Sequence, residues 1–199
     1  MFTKKKVRKV VTKLLPKGVL KDKMKCIWYN FFSKSHYSFH INNTGEYLTK
    51  YRNFSVVTKS PLYHVVKDFD FYQHFYKVKS EDIVIDAGAN EGFLSLIFSK
   101  LVEDKGFVFS FEPDSFNIQK FISNMEVNAS IKNIKIEDLL LWDKNGYIDF
   151  YETGSVASSA HWIPENVIST KKEAITLDSW AVKNNITKID FIKMDIEGG

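Results

Sequence analysis

The chain has 199 residues and a net charge of +4, and 44% of its residues are hydrophobic. This length and composition predict one main folded domain with an extension, and they exclude a disordered chain. The single cysteine, Cys26, excludes an internal disulfide bond and suits a reducing compartment, so we expect a cytoplasmic protein.

The first 25 residues are strongly basic, with ten Lys or Arg residues and one acid, Asp22. Apolar residues at helical spacing lie between the charges: Val7, Val10, Val11, Leu14 and Leu15. This pattern is typical of a helix that lies on an anionic membrane surface or on nucleic acid, and a solvated helix that caps the core is the alternative. We expect neither a signal peptide nor a transmembrane helix, because the segment lacks the apolar stretch that each requires.

A strand-like pattern follows and then gives way to an aromatic-rich one. Short strands are predicted over residues 37–41, 46–51 and 54–58. The Asn-Asn-Thr-Gly sequence at 42–45 predicts a turn, and residues 62–76 predict a helix.

This change of pattern sets the predicted domain boundary. We assign residues 1–61 to a basic N-terminal α/β extension and residues 62–199 to the core domain. His36 and His40 lie four residues apart in the strand-like region without a third ligand nearby, so no metal site is expected.

Residues 83–93 predict an apolar strand that ends in a carboxylate, a turn of small residues and the start of an amphipathic helix. A dinucleotide site would place G-x-G-x-x-G after the strand, whereas here Asp86 precedes Gly88 and Asn90 replaces the second close glycine. A carboxylate facing this turn suits a cationic ligand, and S-adenosylmethionine carries a sulfonium, an ammonium and no phosphate. The predicted cofactor-binding residues are Asp86, Gly88, Ala89, Asn90 and Gly92. An ordinary strand–turn–helix with a capping Asp is the alternative.

A second apolar strand, at residues 108–112, also ends in an acid. Glu112 lies 24 residues after Gly88, near the offset of about 20 residues expected for an acid that binds ribose hydroxyls. A carboxylate accepts two hydrogen bonds from a 2′,3′-diol. Glu112 is therefore predicted to bind the cofactor, and the helical spacing after Pro113 extends the unit to β-α-β-α.

Several motifs in order resemble the FkbM-type methyltransferases over roughly residues 80 to 199. They are D-A-G-A-N-E-G at 86–92, F-E-P at 111–113, Asn117 with the pair Asn124 and Asn128, a strand–turn–strand at 141–150, I-T-L-D at 175–178 and I-D-F-I-K-M-D-I-E-G at 189–198. The resemblance implies a Rossmann-like class I methyltransferase sheet. It also implies S-adenosylmethionine as cofactor and O-methylation of a hydroxyl on a sugar or other secondary metabolite.

The end of the sequence departs from the family pattern. A complete fold of this class continues with a helix, a further strand and a C-terminal β-hairpin, whereas this sequence stops just after the fourth core strand. We therefore expect a sheet that is incomplete after that strand and a chain that is a fragment with little activity of its own.

A hydroxyl acceptor needs a base to remove its proton, and strand ends supply such groups in α/β sheets. Asp195 and Glu197 end the last predicted strand and are the catalytic candidates. Lys193 alternates with them and is a candidate to neutralise their charge. His161 is a further candidate base, and Asp138 is a candidate to meet the adenine amino group.

Three classes of function remain open from the sequence. They are a small-molecule O-methyltransferase, a nucleic-acid ribose methyltransferase suggested by the basic N-terminus, and a non-catalytic fragment with a cofactor-like fold. Enzymes that methylate base amino groups typically carry Asn/Asp-Pro-Pro-aromatic after the fourth strand, whereas residues 193–198 are Lys-Met-Asp-Ile-Glu-Gly. This difference weighs against methylation of base amino groups, though not against ribose methylation. From the family resemblance we expect a small-molecule or glycan acceptor rather than nucleic acid.

Overall fold

The computed structural model describes residues 18–32, 37–51, 53–61, 65–154 and 169–196. The chain divides into two compact units, Met1–Val66 and Lys67–Gly199. His161, Glu197 and most of the basic N-terminal segment lie outside the described residues. Among the described residues, none of the helices combines the length and apolar character that crossing a bilayer requires.

The first unit contains helix α1 (Val19–Phe32) and an antiparallel sheet of three short strands, which confirms the predicted strands. They are β1 (Tyr37–Ile41), β2 (Tyr47–Tyr51) and β3 (Phe54–Thr58), in that order across the sheet. The predicted turn is confirmed, because the Asn42 side-chain oxygen accepts the backbone N–H groups of Thr44 (3.1 Å) and Glu46 (2.8 Å). Helix α1 packs on β1, where the Asn30 amide exchanges two 2.7 Å hydrogen bonds with the Phe39 backbone.

The second unit is built on a parallel sheet of four strands in the order β10-β4-β5-β6. Its helices and strands, with the helix that leads into it, are α2 (Val66–Tyr72), β4 (Ile83–Ala87), α3 (Phe93–Val102), β5 (Phe107–Phe111), α4 (Ser115–Glu126), β6 (Ile134–Glu137) and β10 (Phe191–Met194). Strands β4, β5 and β6 follow one another across the sheet, whereas β10 pairs with the other side of β4. The strand order therefore reverses at β4, and ligands bind at such a switch point, beyond the carboxyl ends of the strands.

Alternation along β4 and β5 gives the sheet two different faces. On one face, Phe109 and Phe111 meet the buried ring of Trp180 edge to face, at centroid distances of 4.8 and 5.0 Å. On the other face, Asp86 and Ser110 point toward α3, where Ser95 bonds to both. Both faces bury apolar side chains, and the α3 face also holds buried polar side chains close to the switch point.

A smaller sheet belongs to the same unit and contains the strand–turn–strand motif of residues 141–150. It contains β7 (Leu140–Leu141), β9 (Ser169–Ile175) and β8 (Gly146–Tyr151), with β7 parallel and β8 antiparallel to β9. Helix α5 (Leu177–Lys183) begins after Thr176, whose hydroxyl caps the helix by accepting the Ser179 N–H at 3.1 Å. The capping threonine places Trp180 against the main sheet, one turn further on.

Candidate functional site

The turn between β4 and α3 depends on two glycines with left-handed backbone angles. Gly88 has φ 74°, and a Cβ atom there would lie 2.0 Å from the Asp195 carbonyl oxygen. Gly92 has φ 77°, and a Cβ atom there would lie 2.0 Å from the Phe121 ring. The end of β10 and helix α4 thus approach the turn more closely than any side chain permits.

Asp86 lies beneath this turn and is fully buried, so its carboxylate is not exposed at the surface of the turn. Its Oδ2 accepts a 2.5 Å hydrogen bond from the Ser95 hydroxyl, which in turn accepts one from Ser110 at 2.8 Å. The Lys193 ammonium lies 3.1 Å from Asp86 Oδ1 and donates to the carbonyl oxygens of Ala87 (3.1 Å) and Gly88 (2.7 Å). This buried ion pair therefore fixes the first carbonyls of the turn.

Lys193 has a different partner from the one predicted. It is buried and pairs with Asp86, so the expectation that it neutralises Asp195 is wrong. Register explains the difference, because Lys193 lies directly opposite Asp86 across the β10–β4 pair. Within the described part of the chain, neither Asp195 nor Glu112 forms an ion pair with a basic side chain.

Glu112 joins the end of β5 to the same turn. Its Oε2 accepts the Asn90 N–H at 2.7 Å, and its Oε1 accepts the Asp114 N–H at 3.0 Å. Burial raises the pKa of the Glu112 carboxyl, and these backbone hydrogen bonds act in the opposite direction. The Asn117 side-chain amide also donates to Oε1, at 3.4 Å. Oε2 therefore keeps a lone pair that a ribose hydroxyl can use beside the Asn90 N–H.

Asn90 explains why this turn differs from a phosphate-binding loop. It has φ 52°, a conformation that asparagine tolerates, and its side-chain oxygen accepts the Glu91 N–H at 2.8 Å. Its own N–H is donated to the Glu112 carboxylate. In a dinucleotide site this backbone N–H would donate to a pyrophosphate, whereas here it already donates to the Glu112 carboxylate.

Asp195 follows β10 at the carboxyl edge of the sheet, and its side chain is exposed. Its N–H donates to the Ala87 carbonyl oxygen at 3.0 Å, which ties it to the end of β4. Its Oδ2 accepts a 2.8 Å hydrogen bond from the Tyr72 hydroxyl. No local sequence signal distinguishes Tyr72, because it lies within the aromatic-rich stretch before β4.

Asp138, the one remaining candidate among the described residues, does not join this group. Asp138 follows β6, at the far side of the sheet from β10, and its Oδ1 lies 3.1 Å from the Lys172 ammonium. Among the described residues, no group of three His, Cys, Asp or Glu side chains has the arrangement of a metal site.

The strand order, the turn at the switch point and the acid at the end of β5 define a Rossmann-like nucleotide-binding fold, as the sequence predicted. Residues 86–199 match the family model of the methyltransferase FkbM domain. This match covers more than half of the chain, and the chain belongs to the FkbM methyltransferase family. The predicted family is therefore confirmed.

Individual relatives are more distant. The chain is 26% identical over 137 residues to the 2-O-methyltransferase NoeI of Sinorhizobium fredii (strain NBRC 101917 / NGR234), covering 60% of this chain and 55% of that protein. The chain thus spans about half the length of the curated relative it matches.

Among solved structures, the methyltransferase FkbM from Methylobacillus flagellatus KT is 19% identical, with a TM-score of 0.39 over 69% of this chain and 35% of that chain. A SAM-dependent O-methyltransferase from Thermotoga maritima is also 19% identical, with a TM-score of 0.36 over 58% of this chain and 46% of that chain.

Proposed function

We propose that this chain forms the cofactor-binding part of an S-adenosylmethionine-dependent O-methyltransferase that acts on a hydroxyl of a sugar or another small metabolite. The observation that carries the proposal is the contact between Glu112 and the turn after β4. That contact supports Glu112 as the acid that binds the ribose, and it occupies a backbone amide that a phosphate would need. Membership of the FkbM family supports the same reaction class.

The charges around the turn fit a cationic cofactor. Asp86 is compensated by Lys193, whereas Glu112 and Asp195 have no basic partner among the described side chains. The residues present therefore favour a sulfonium and an ammonium over a phosphate. S-adenosylmethionine supplies a methyl group already activated for transfer. In this proposal Gly88, Ala89, Asn90 and Gly92 form the cradle, Glu112 binds the ribose and Asp86 acts through Lys193 on the carbonyls of the turn.

Asp195 is the proposed base. Asp195 follows β10, and its carbonyl oxygen would lie 2.0 Å from a Cβ atom at Gly88. Asp195 therefore borders the proposed cofactor turn. Asp195 removes the proton of the acceptor hydroxyl while that oxygen bonds to the methyl carbon. The electron pair of the broken carbon–sulfur bond stays with sulfur. Glu197 is kept as a second candidate on sequence grounds.

A hydroxyl on a small glycan is the proposed acceptor, and the name of the relative NoeI, a 2-O-methyltransferase, supports this class. The test has two steps in the full-length protein. Calorimetry with S-adenosylhomocysteine should show binding, and NAD should not bind; the reverse result would overturn the cofactor assignment. Radiolabelled methyl transfer to a panel of methyl pyranosides is then compared with transfer to total RNA. Transfer to RNA alone would replace the glycan proposal with ribose methylation of nucleic acid.

Helix α1 supports a second proposal, which is association with an anionic lipid surface. Leu20, Ile27 and Phe31 share one helical face with Met24 and are 63%, 67% and 80% exposed, whereas Cys26 on the opposite face is buried. The segment leading into this helix is the strongly basic one. Each basic residue near an anionic leaflet contributes roughly 1 kcal/mol to the free energy of membrane binding. The basic charge and the apolar stripe therefore both favour an anionic lipid surface.

Vesicle sedimentation tests this surface. The full-length protein should sediment with phosphatidylcholine vesicles that contain phosphatidylserine and should stay in solution with phosphatidylcholine alone. Ile27→Ser should reduce sedimentation, because it removes a central apolar residue of the stripe. Val182→Ser is the matched control, since Val182 on α5 is 79% exposed and belongs to the other unit. Equal sedimentation of both variants would contradict the proposal.

A further inference from the structure

Helix α2 is linked to strand β10 by aromatic packing through α3. The fully buried ring of Phe69 lies 5.7 Å, centroid to centroid, from Phe98 of α3. Phe98 lies 5.5 Å from Phe191 at the start of β10. Residues three apart share a helical face, so the packing of Phe69 turns Tyr72 toward the end of the same strand.

Tyr72 contacts both polar residues at that strand end. Its hydroxyl donates to Asp195 Oδ2 at 2.8 Å. Its ring centroid lies 5.8 Å from the Lys193 ammonium, within the range of a cation–π contact. Lys193 in turn holds the Gly88 carbonyl oxygen at 2.7 Å. One side chain thus contacts both the acid proposed as base and the lysine that fixes the cofactor turn.

We propose that Tyr72 is a positioning residue of the acceptor site, and this proposal rests on the proposed function. Asp195 is exposed, so its carboxylate would rotate freely without a partner. The Tyr72 hydroxyl holds Oδ2 and leaves Oδ1 to accept the hydroxyl of the acceptor. Tyr72 keeps its own proton throughout, and its effect on the reaction passes through Asp195.

The chain offers a matched control in the same segment. Tyr76 also donates its hydroxyl to a carboxylate, Asp82 Oδ2 at 3.0 Å, but Asp82 lies next to the amino end of β4. Tyr72→Phe and Tyr76→Phe therefore both remove a hydroxyl that donates to a carboxylate, at opposite edges of the sheet. Tyr76→Phe also removes the acceptor of a 2.6 Å hydrogen bond from Lys79, so it tests stability at least as severely. A loss of stability alone would be shared by both variants, whereas a positioning effect belongs to Tyr72→Phe.

Crystal structures of the wild-type, Tyr72→Phe and Tyr76→Phe proteins give a readout that needs neither cofactor nor acceptor. We expect the Asp195 carboxylate to hold one orientation in the wild type and in Tyr76→Phe, and to turn away or occupy several rotamers in Tyr72→Phe. An unchanged Asp195 orientation in Tyr72→Phe would overturn the proposal. Failure of the wild type to bind S-adenosylhomocysteine would instead refute the proposed function, and the crystallographic result would still stand.

Kinetics with the methyl pyranoside that reacts best supplies the second readout. Tyr72→Phe should lower kcat by about 10- to 100-fold, the scale of a hydrogen bond to a charged group, and should leave the Kd for S-adenosylhomocysteine within about twofold. In an Asp195→Asn background the same change should have no further effect, because Tyr72 acts through Asp195. A wild-type kcat, an additive loss in the double variant, or a loss confined to cofactor affinity would each overturn the assignment.

Discussion

Replacing Glu112 with alanine should weaken the binding of S-adenosylhomocysteine by about 1.5–3 kcal/mol, which is about 10- to 150-fold in Kd. The reason is the loss of the charged acceptor proposed for the ribose hydroxyls. The same change also removes the acceptor for the N–H groups of Asn90 (2.7 Å) and Asp114 (3.0 Å). Because this site is buried, each donor left without a partner should cost about 1–3 kcal/mol of folding free energy.

Glutamine at the same position separates binding from folding. Glu112→Gln keeps one oxygen for the Asn90 N–H but loses the charge, so its folding loss should be smaller than that of Glu112→Ala. Glu103→Gln is the control, because it removes a negative charge at the far end of α3. Calorimetry measures binding, and urea denaturation measures stability. Unchanged affinity in a folded Glu112→Ala protein would refute the ribose assignment and leave Glu112 as a structural support of the turn.

Three further predictions follow from the same site. Asp195→Asn should lower the methyl transfer rate by about 10²–10⁴ with unchanged S-adenosylhomocysteine affinity, whereas lost affinity would place Asp195 in the cofactor site. Gly88→Ala should lower the free energy of unfolding, measured by urea denaturation, by more than Gly45→Ala. Both glycines have positive φ, which costs an alanine about 1–2 kcal/mol. Of the two, only Gly88 also lacks room for a Cβ atom. Burial raises the pKa of Glu112 from 4.5, so the folded state holds that proton more tightly than the unfolded state. The stability of the wild type relative to Glu112→Gln should therefore fall as the pH rises from about 4 to 7, and a constant difference would contradict the assigned cause.

Local sequence patterns were sufficient to predict the strands, the turn and the family. Near-continuous apolar runs in β4 and β5 predicted buried strands, since both faces of a parallel sheet are covered. The small residues after β4 predicted a turn, and the structure identifies what lies against Gly88 and Gly92 within it. These features depend on neighbours within a few residues, and such signals are readable before the topology is known.

The partners of the charged side chains were not predictable in the same way. Closeness in sequence predicts that Lys193 neutralises the acids that follow it, but the parallel pairing of β10 with β4 brings Lys193 to Asp86. Tyr72 and Asp195 are 123 positions apart, and their contact depends on how α2 packs against α3 and β10. Such pairs follow from strand order, which no local pattern in this chain specifies.

The ion pair beneath the turn has a consequence for the order of folding. Lys193 and the Ala87 carbonyl that it holds are 106 positions apart, so this contact closes one of the longest loops in the chain. Non-local parallel pairing forms slowly, because loop entropy is lost before the contact compensates for it. During synthesis, β4 and α3 emerge well before β10, and Asp86 has no ammonium partner until β10 docks. The docking of β10 is therefore a late folding step that neutralises the buried carboxylate of β4, and the proposed cofactor site is complete only after it.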